Sequence, residues 1–211
     1  MTTIKWLVSS LAITLLLLVS CTENTTTPPA TIEPLPYADE LRGAVFDPPR
    51  PIADFSFPST TGANFTLSEH KGEIILIYFG YRSCPDFCPT TFAELKRVYD
   101  ALDEPADRLK VVFVTVDPER DDLESLGLYT HAFQEDFIAV REDGTALQEL
   151  MDEFGVVAEK RERSDSAMGY LIDHTASVFL IGPDGNLEVQ YLYGTDYRDL
   201  VHDLRLMLDT I

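Results

Sequence analysis

Apolar positions along this chain follow two alternating rhythms. Ile74 to Gly80 (IILIYFG) is a continuous apolar run. Such a run predicts a central strand covered on both faces. Lys110 to Val116 (KVVFVTV) predicts a second buried strand, and Phe137 to Val140 a short third one. Between them the period changes. Phe92, Leu95, Tyr99 and Leu102 fall three or four residues apart, which predicts an amphipathic helix over Pro89 to Leu102. Asp121 to Phe133 reads as a helix with Asp121 and Asp122 near its positive end. Thr145 to Phe154 reads as another, with Leu147, Leu150, Met151 and Phe154 on one side. Ser177 to Ile181 and Leu187 to Tyr193 flank Gly182-Pro183-Asp184-Gly185-Asn186, a hairpin signal. Tyr197 to Leu208 closes the chain as a helix with Tyr197, Leu200, Val201, Leu204 and Leu208 inward. Phe55 to Phe57 and Phe65 to Leu67, around Gly62, predict a leading hairpin. There is no internal repeat. Strands alternating with helices, followed by an antiparallel hairpin and a last helix, predict an α/β domain of thioredoxin-like fold, a central mixed sheet flanked by helices. At roughly 160 residues it can bury a sizeable core.

The first 51 residues obey neither rhythm. Trp6 to Val19 is mostly apolar, preceded by Lys5 and ended by Leu18-Val19-Ser20-Cys21. At 14 residues the run is short of the ~20 needed to cross a bilayer, but it suits the apolar region of a signal peptide. A small residue directly before a cysteine resembles a bacterial lipobox. The resemblance implies cleavage before Cys21 and lipid attachment to its sulfur; the alternative is an uncleaved anchor with a chance cysteine. Residues 1–20 are therefore expected to be a lipoprotein signal peptide and residues 21–51 a Pro/Thr-rich tether. Seven of the 13 prolines fall between Thr22 and Pro51, so no regular element is expected there, although the part from Tyr37 can pack on the domain. The working domain is 52–211, expected outside the cytoplasm and anchored to a membrane.

Composition narrows the function. With 36 acidic against 16 basic residues the formal charge is −20, which repels a phosphate backbone and argues against nucleic acid as a partner. Forty-five per cent hydrophobic and 25% charged residues are ordinary globular proportions. Three cysteines are too few for a disulfide-stapled miniprotein.

Two of them carry the chemistry. Cys84-Pro85-Asp86-Phe87-Cys88-Pro89 follows the strand ending at Gly80, and Pro89 suits the first position of a helix. Cys88 then sits at a helix N-terminus, where free amides and the dipole favour thiolate, with Arg82 as a nearby aid. On one helical turn both sulfurs share a face. The pair can bind a soft metal or form a reversible disulfide; a permanent bridge over so small a loop would add little stability. Asp173-His174-Thr175 precedes the strand near Ser177. A lone histidine is as a rule structural or solvated, but in a thioredoxin-like fold this loop packs against the cysteine loop, so His174 would face the sulfurs. Two thiolates and one imidazole suit three-coordinate Cu(I). Zinc would seek a fourth ligand. His70, His131 and His202 read as surface or packing residues, and Met151, Met168 and Met207 form no methionine-rich copper motif.

YFGYRSCPDFCPTT (78–91), VTVDPERD (114–121) and DHTASVFLIGPDG (173–185) together resemble the three signatures of the SCO/SenC family. The resemblance covers roughly Asp54 to Leu208. It implies a thioredoxin-like fold and delivery of copper to the binuclear centre of cytochrome c oxidase, whose copper-accepting subunit would be the partner, with a thiol reductant as a second. It places Cys84, Cys88 and His174 on the copper ligands, and Asp86 on the family's acidic residue between the cysteines. Many relatives have Thr-x-Cys before the motif where this chain has Arg82-Ser83-Cys84. Asp117-Pro118-Glu119-Arg120-Asp121 lies at the carboxyl edge of the sheet, where sites gather; a Pro turn followed by a helix N-cap is the simpler reading, against Asp117 and Asp121 guiding a cation or docking a partner.

Two function classes follow. One is a metallochaperone that passes Cu(I) on by thiolate exchange. The other is an enzyme, a thiol-disulfide oxidoreductase or thiol peroxidase, using Cys84 and Cys88 as its redox pair. Three residues between the cysteines, where redox thioredoxins have two, favour the first. So does Ala176, which stands where many thioredoxins place a cis-proline.

Overall fold

The computed structural model describes residues 33–102, 108–162 and 169–210. Cys21, the apolar run before it, Met168 and the tether up to Ile32 lie outside the described residues. No helix among the described residues is long and apolar enough to cross a membrane.

Among the described residues, ten strands and four α-helices form one compact unit. Strand β1 is Ala44–Pro51; β2 (Ser56–Pro58) and β3 (Asn64–Thr66) make the expected leading hairpin. Next come β4 (Ile74–Gly80), α1 (Phe87–Ala101), β5 (Leu109–Thr115), α2 (Leu123–His131), β6 (Ile138–Val140) and α3 (Gly144–Phe154). A second hairpin, β7 (Ala158–Glu162) with β8 (Tyr170–His174), precedes β9 (Val178–Ile181), β10 (Asn186–Tyr191) and α4 (Tyr197–Leu208). The main sheet runs β1-β10-β9-β4-β5-β6. Strands β4, β5 and β6 are parallel, and β9, β10 and β1 add antiparallel neighbours. This is the mixed, helix-flanked sheet expected from the sequence.

Strand β4 is buried along its whole length because it lies between β5 and β9 with helices over both faces. Tyr78 and Phe113 of β5 meet Phe92 of α1 on one face. Phe79 meets Phe154 of α3 on the other. Met151 and Met207 pack in the core, as the default reading of the methionines has it. His70 stacks on Phe65 and bonds Glu73, while His131 is exposed and His202 pairs with Asp203.

Three expectations need correction. The chain between Thr22 and Pro51 is not free of regular structure: Ala44–Pro51 pairs with β10. A strand holding Pro48, Pro49 and Pro51 can exist because it is an edge strand, with a register shift between Val45 and Arg50. The carboxylate of Asp203 on α4 fixes the approach to it, accepting the amides of Arg42 and Gly43. Ordered packing thus begins well before residue 52. Second, the N-cap of α2 is Asp122, which forms a capping box with Ser125; Asp121 is buried and does other work. Third, β7 and β8 carry no apolar alternation and are absent from the sequence reading. His174 ends β8 rather than lying on a loop.

Candidate metal centre

Cys84, Cys88 and His174 come together, their donor atoms all within 4.8 Å of one another. They are the only such group of three metal-capable side chains among the described residues. Each arrives by a different route. Cys84 lies on the loop after β4, its amide donated to the carbonyl of Tyr81 at 3.1 Å. Cys88 is the second residue of α1, which starts at Phe87. Pro89 is therefore third in the helix rather than first, and it is still within the first turn where amides have no intrahelical partner. His174 closes β8.

The backbone permits this only through Gly80. A β-carbon there would meet Cys88 Sγ at 2.7 Å and Phe113 at 2.9 Å. A glycine ending an otherwise bulky strand is the signal of such a close approach.

Both cysteines are free thiols and buried. The Cys88 amide points at Cys84 Sγ at 3.5 Å. The Cys88 thiol is pushed up by its bond to Cys84 and by burial. Cys84 is held far below the ordinary thiol range, chiefly by the bond from Cys88, helped by the backbone amides of the cysteine loop. This reverses the expected assignment of the thiolate. Cys88 does sit at the helix start, but its bond to Cys84 and its complete burial together outweigh the helix dipole. Nor does Arg82 serve the sulfurs: its guanidinium faces Asp121 at 3.7 Å.

Imidazole Nε2 of His174 lies 3.5 Å from Cys88 Sγ. Nδ1 is 3.1 Å from the carbonyl of Thr175. Nδ1–H donating there leaves the Nε2 lone pair aimed at the sulfurs, the arrangement that orients a histidine ligand. Tyr78 and Tyr81 present ring edges to the imidazole, at 6.2 and 5.7 Å between centroids. The Tyr78 hydroxyl donates to Cys88 Sγ at 3.5 Å. Neither tyrosine was singled out in the sequence, where both read as the end of an apolar strand.

For bonds of about 2.0–2.3 Å, three ligands in a plane around one ion stand roughly 3.5–4 Å apart. Cys88 Sγ and His174 Nε2 already stand at that separation, and no donor pair exceeds 4.8 Å. The chemistry of the set, two sulfurs and one nitrogen without a neighbouring carboxylate ligand, suits a soft, low-coordinate ion. Asp86 is exposed at the helix start and is not part of the cluster. Phe87, between the cysteines, is exposed and meets Tyr193 edge to face at 4.8 Å, forming an apolar rim.

The Asp117 to Asp121 segment forms the expected turn, with the amides of Arg120 and Asp121 donated to the Asp117 carbonyl, and its carboxylates do more. Asp117 accepts from Arg120 and from the Tyr170 hydroxyl. Asp121 accepts from the Arg82 amide and the Thr115 hydroxyl. Its two buried carboxylates hold Tyr170, the first residue of β8, and the cysteine loop at Arg82.

Comparison with known proteins follows this geometry closely. The family model described as SCO1/SenC matches residues 47–209. The solution structure of apo Sco1 from Thermus thermophilus is 34% identical, with a TM-score of 0.69 over 79% of this chain and 96% of that one. ScoI of Bradyrhizobium japonicum, a structure with copper bound, is 29% identical with a TM-score of 0.67, covering 74% of this chain and 98% of its own. An SCO2-like protein of Rickettsia conorii is 28% identical over 152 residues, 72% of this chain and 74% of the relative.

Proposed function

The chain belongs to the SCO1/SenC family, and from that premise we propose that it is a copper chaperone holding Cu(I) through Cys84, Cys88 and His174. The observation that carries the reading is the convergence of these three soft donors within 4.8 Å. Copper is cargo here. Thiolates bind Cu(I) tightly but exchange one at a time, so an acceptor with its own sulfur or nitrogen ligands can take the ion without a large free-energy drop. Of the three donors only His174 is partly exposed, and the exposed Phe87, with Tyr193 against it, gives an acceptor an apolar place to dock beside the cysteine loop.

The family includes cytochrome c oxidase assembly proteins. Delivery to the binuclear copper site of that oxidase is the use we propose for this chain, with the copper-accepting subunit as partner. The lipobox-like sequence supports a lipid on Cys21, which would hold the domain at the outer face of a membrane with a tether to reach it. A thiol reductant is implied as well, because a Cys84–Cys88 disulfide, formed by loss of two electrons and of the thiol proton held on Cys88, has no thiolate left for copper.

The rival oxidoreductase reading draws on the free cysteine pair, in which the Cys88 amide and the neighbouring thiol hold Cys84 below the ordinary thiol range as a nucleophile. It leaves His174, turned with its free nitrogen to the sulfurs, without a task. Competition of the reduced full-length chain with a coloured Cu(I) chelator separates the two. One tightly held Cu(I) per chain is expected, lost when the cysteines are oxidised first. Equal binding by the oxidised protein would exclude the site.

A further inference from the structure

The two ligand-bearing segments share no backbone pairing. β8 pairs only with β7, in a two-stranded ribbon outside the main sheet, and the cysteines follow β4. Something else has to set how far His174 stands from the sulfurs, and half an ångström matters in such a site. Tyr81, the residue after β4, touches both segments. Its carbonyl accepts the Cys84 amide at 3.1 Å. Its hydroxyl accepts the amide of Ile172, two residues before His174, at 3.2 Å. Its ring lies against the His174 imidazole, nearly perpendicular at 83°. The side chain is 1% exposed, so water does not replace the bond to Ile172.

The outer end of the ribbon is tied to the same quarter of the fold. Arg120 donates to the Tyr170 carbonyl at 3.1 Å, and the Tyr170 hydroxyl donates to Asp117 at 2.7 Å. The guanidinium of Arg120 also lies over the rings of Tyr170 and Tyr81, 3.6 and 5.7 Å from their centroids. Along β8, residues 170, 172 and 174 are therefore gripped in turn, and Tyr81 makes the two grips next to the metal ligands.

We infer that Tyr81 is a positioning residue: through its hydroxyl bond to the Ile172 amide it sets the reach of His174 to Cys84 and Cys88, and so the affinity for the ion. The inference rests on the copper reading above. Its subject is one oxygen atom, because phenylalanine would keep the ring, the burial and the carbonyl.

The test is a double-mutant cycle in the full-length reduced chain, read as Cu(I) affinity by chelator competition. Tyr81→Phe is expected to weaken binding about tenfold, in the range that loss of a ligand-orienting partner produces. In a His174→Ala background the same change is expected to do nothing further, because the residue acts through the imidazole. A merely structural role would lower affinity in both backgrounds. If Tyr81→Phe does not fold, Tyr170→Phe probes the same strand from its outer end. A loss of about threefold, again only while His174 is present, is then expected. Wild-type affinity in the single variant, or a loss that persists without His174, overturns the inference. Failure of the wild type itself to bind Cu(I) is a separate result, and it removes the copper reading along with the inference.

Discussion

Strands β4 and β8 lead to the same three-donor cluster from opposite kinds of structure. β4 is apolar throughout, with all seven residues buried and neighbours on both sides. β8 has one buried residue, Ile172, and its partner β7 has none. The sulfurs therefore stand on a base held by hydrophobic packing, which resists local deformation. The imidazole stands on a ribbon held by a few directed bonds: Tyr81 to Ile172, Arg120 and Asp117 to Tyr170, and Lys160 to Glu119. Stability and site geometry can thus be changed separately. The core decides whether the domain folds, and the polar ties decide where its third ligand stands.

The contrast is broken most severely from the core side. Phe113 is fully buried between Tyr78, Phe92 and Tyr129. Phe113→Ala is expected to lower unfolding stability by ~3–5 kcal/mol, measured by denaturant titration, and to carry the copper site down with it. If the ribbon is as separate as proposed, no single change within β7 approaches that figure.

A second test concerns a charge buried in the main sheet. Glu188 on β10 is 2% exposed and lies under Gly182, where a β-carbon would run into its carboxylate. Burial, then Asp184, raises its pKa from 4.5 to about 7, opposed by the hydroxyl of Tyr37. The folded state thus keeps a proton that the unfolded chain releases. The penalty for ionising it is absent below about pH 4.5, grows as pH rises through the folded value of about 7, and is complete above it. Glu188→Gln is expected to stabilise the protein at pH 8 by on the order of 1–3 kcal/mol and to flatten the pH dependence between those values. Copper affinity at fixed pH should not move, because Glu188 touches none of the ligands. A parallel loss of copper binding would show that sheet and site are not independent.

The smallest effect is expected from the ribbon. Lys160 and Glu119 form an ion pair with both side chains well exposed. Lys160→Ala should cost well under 1 kcal/mol of stability, measured by the same denaturant titration. A large loss would mean that the ribbon belongs to the cooperative core.

The same contrast explains what was legible in the sequence. β4, β5 and α4 were readable because burial writes itself as an apolar run or a 3.6-residue stripe. β4 and α4 fall on the predicted bounds and β5 within one residue of them. β7 reads AEKRE, with four of its five residues exposed, so no hydrophobic period marks it. β1 was hidden because three prolines argue against a strand unless it is known to be an edge. At the site, the ligand residues were legible from residue type and family signature. The charge between the cysteines was not: Cys88's helix position was visible, but its complete burial is a tertiary fact. The same holds for Asp117 and Asp121, whose spacing suggested a turn and whose partners lie on other elements. Tyr81 was hidden because a buried tyrosine after an apolar strand looks like core until its hydroxyl partner, 91 residues away in sequence, is known.

The central claim is that donors from the two unlike regions act as one centre. X-ray absorption of the Cu(I)-loaded, reduced full-length chain tests it most directly. A three-coordinate ion with two sulfurs and one imidazole nitrogen is expected, and the nitrogen contribution should vanish in His174→Ala while both sulfurs remain. A two-sulfur spectrum in the wild type, unchanged by His174→Ala, would contradict the account.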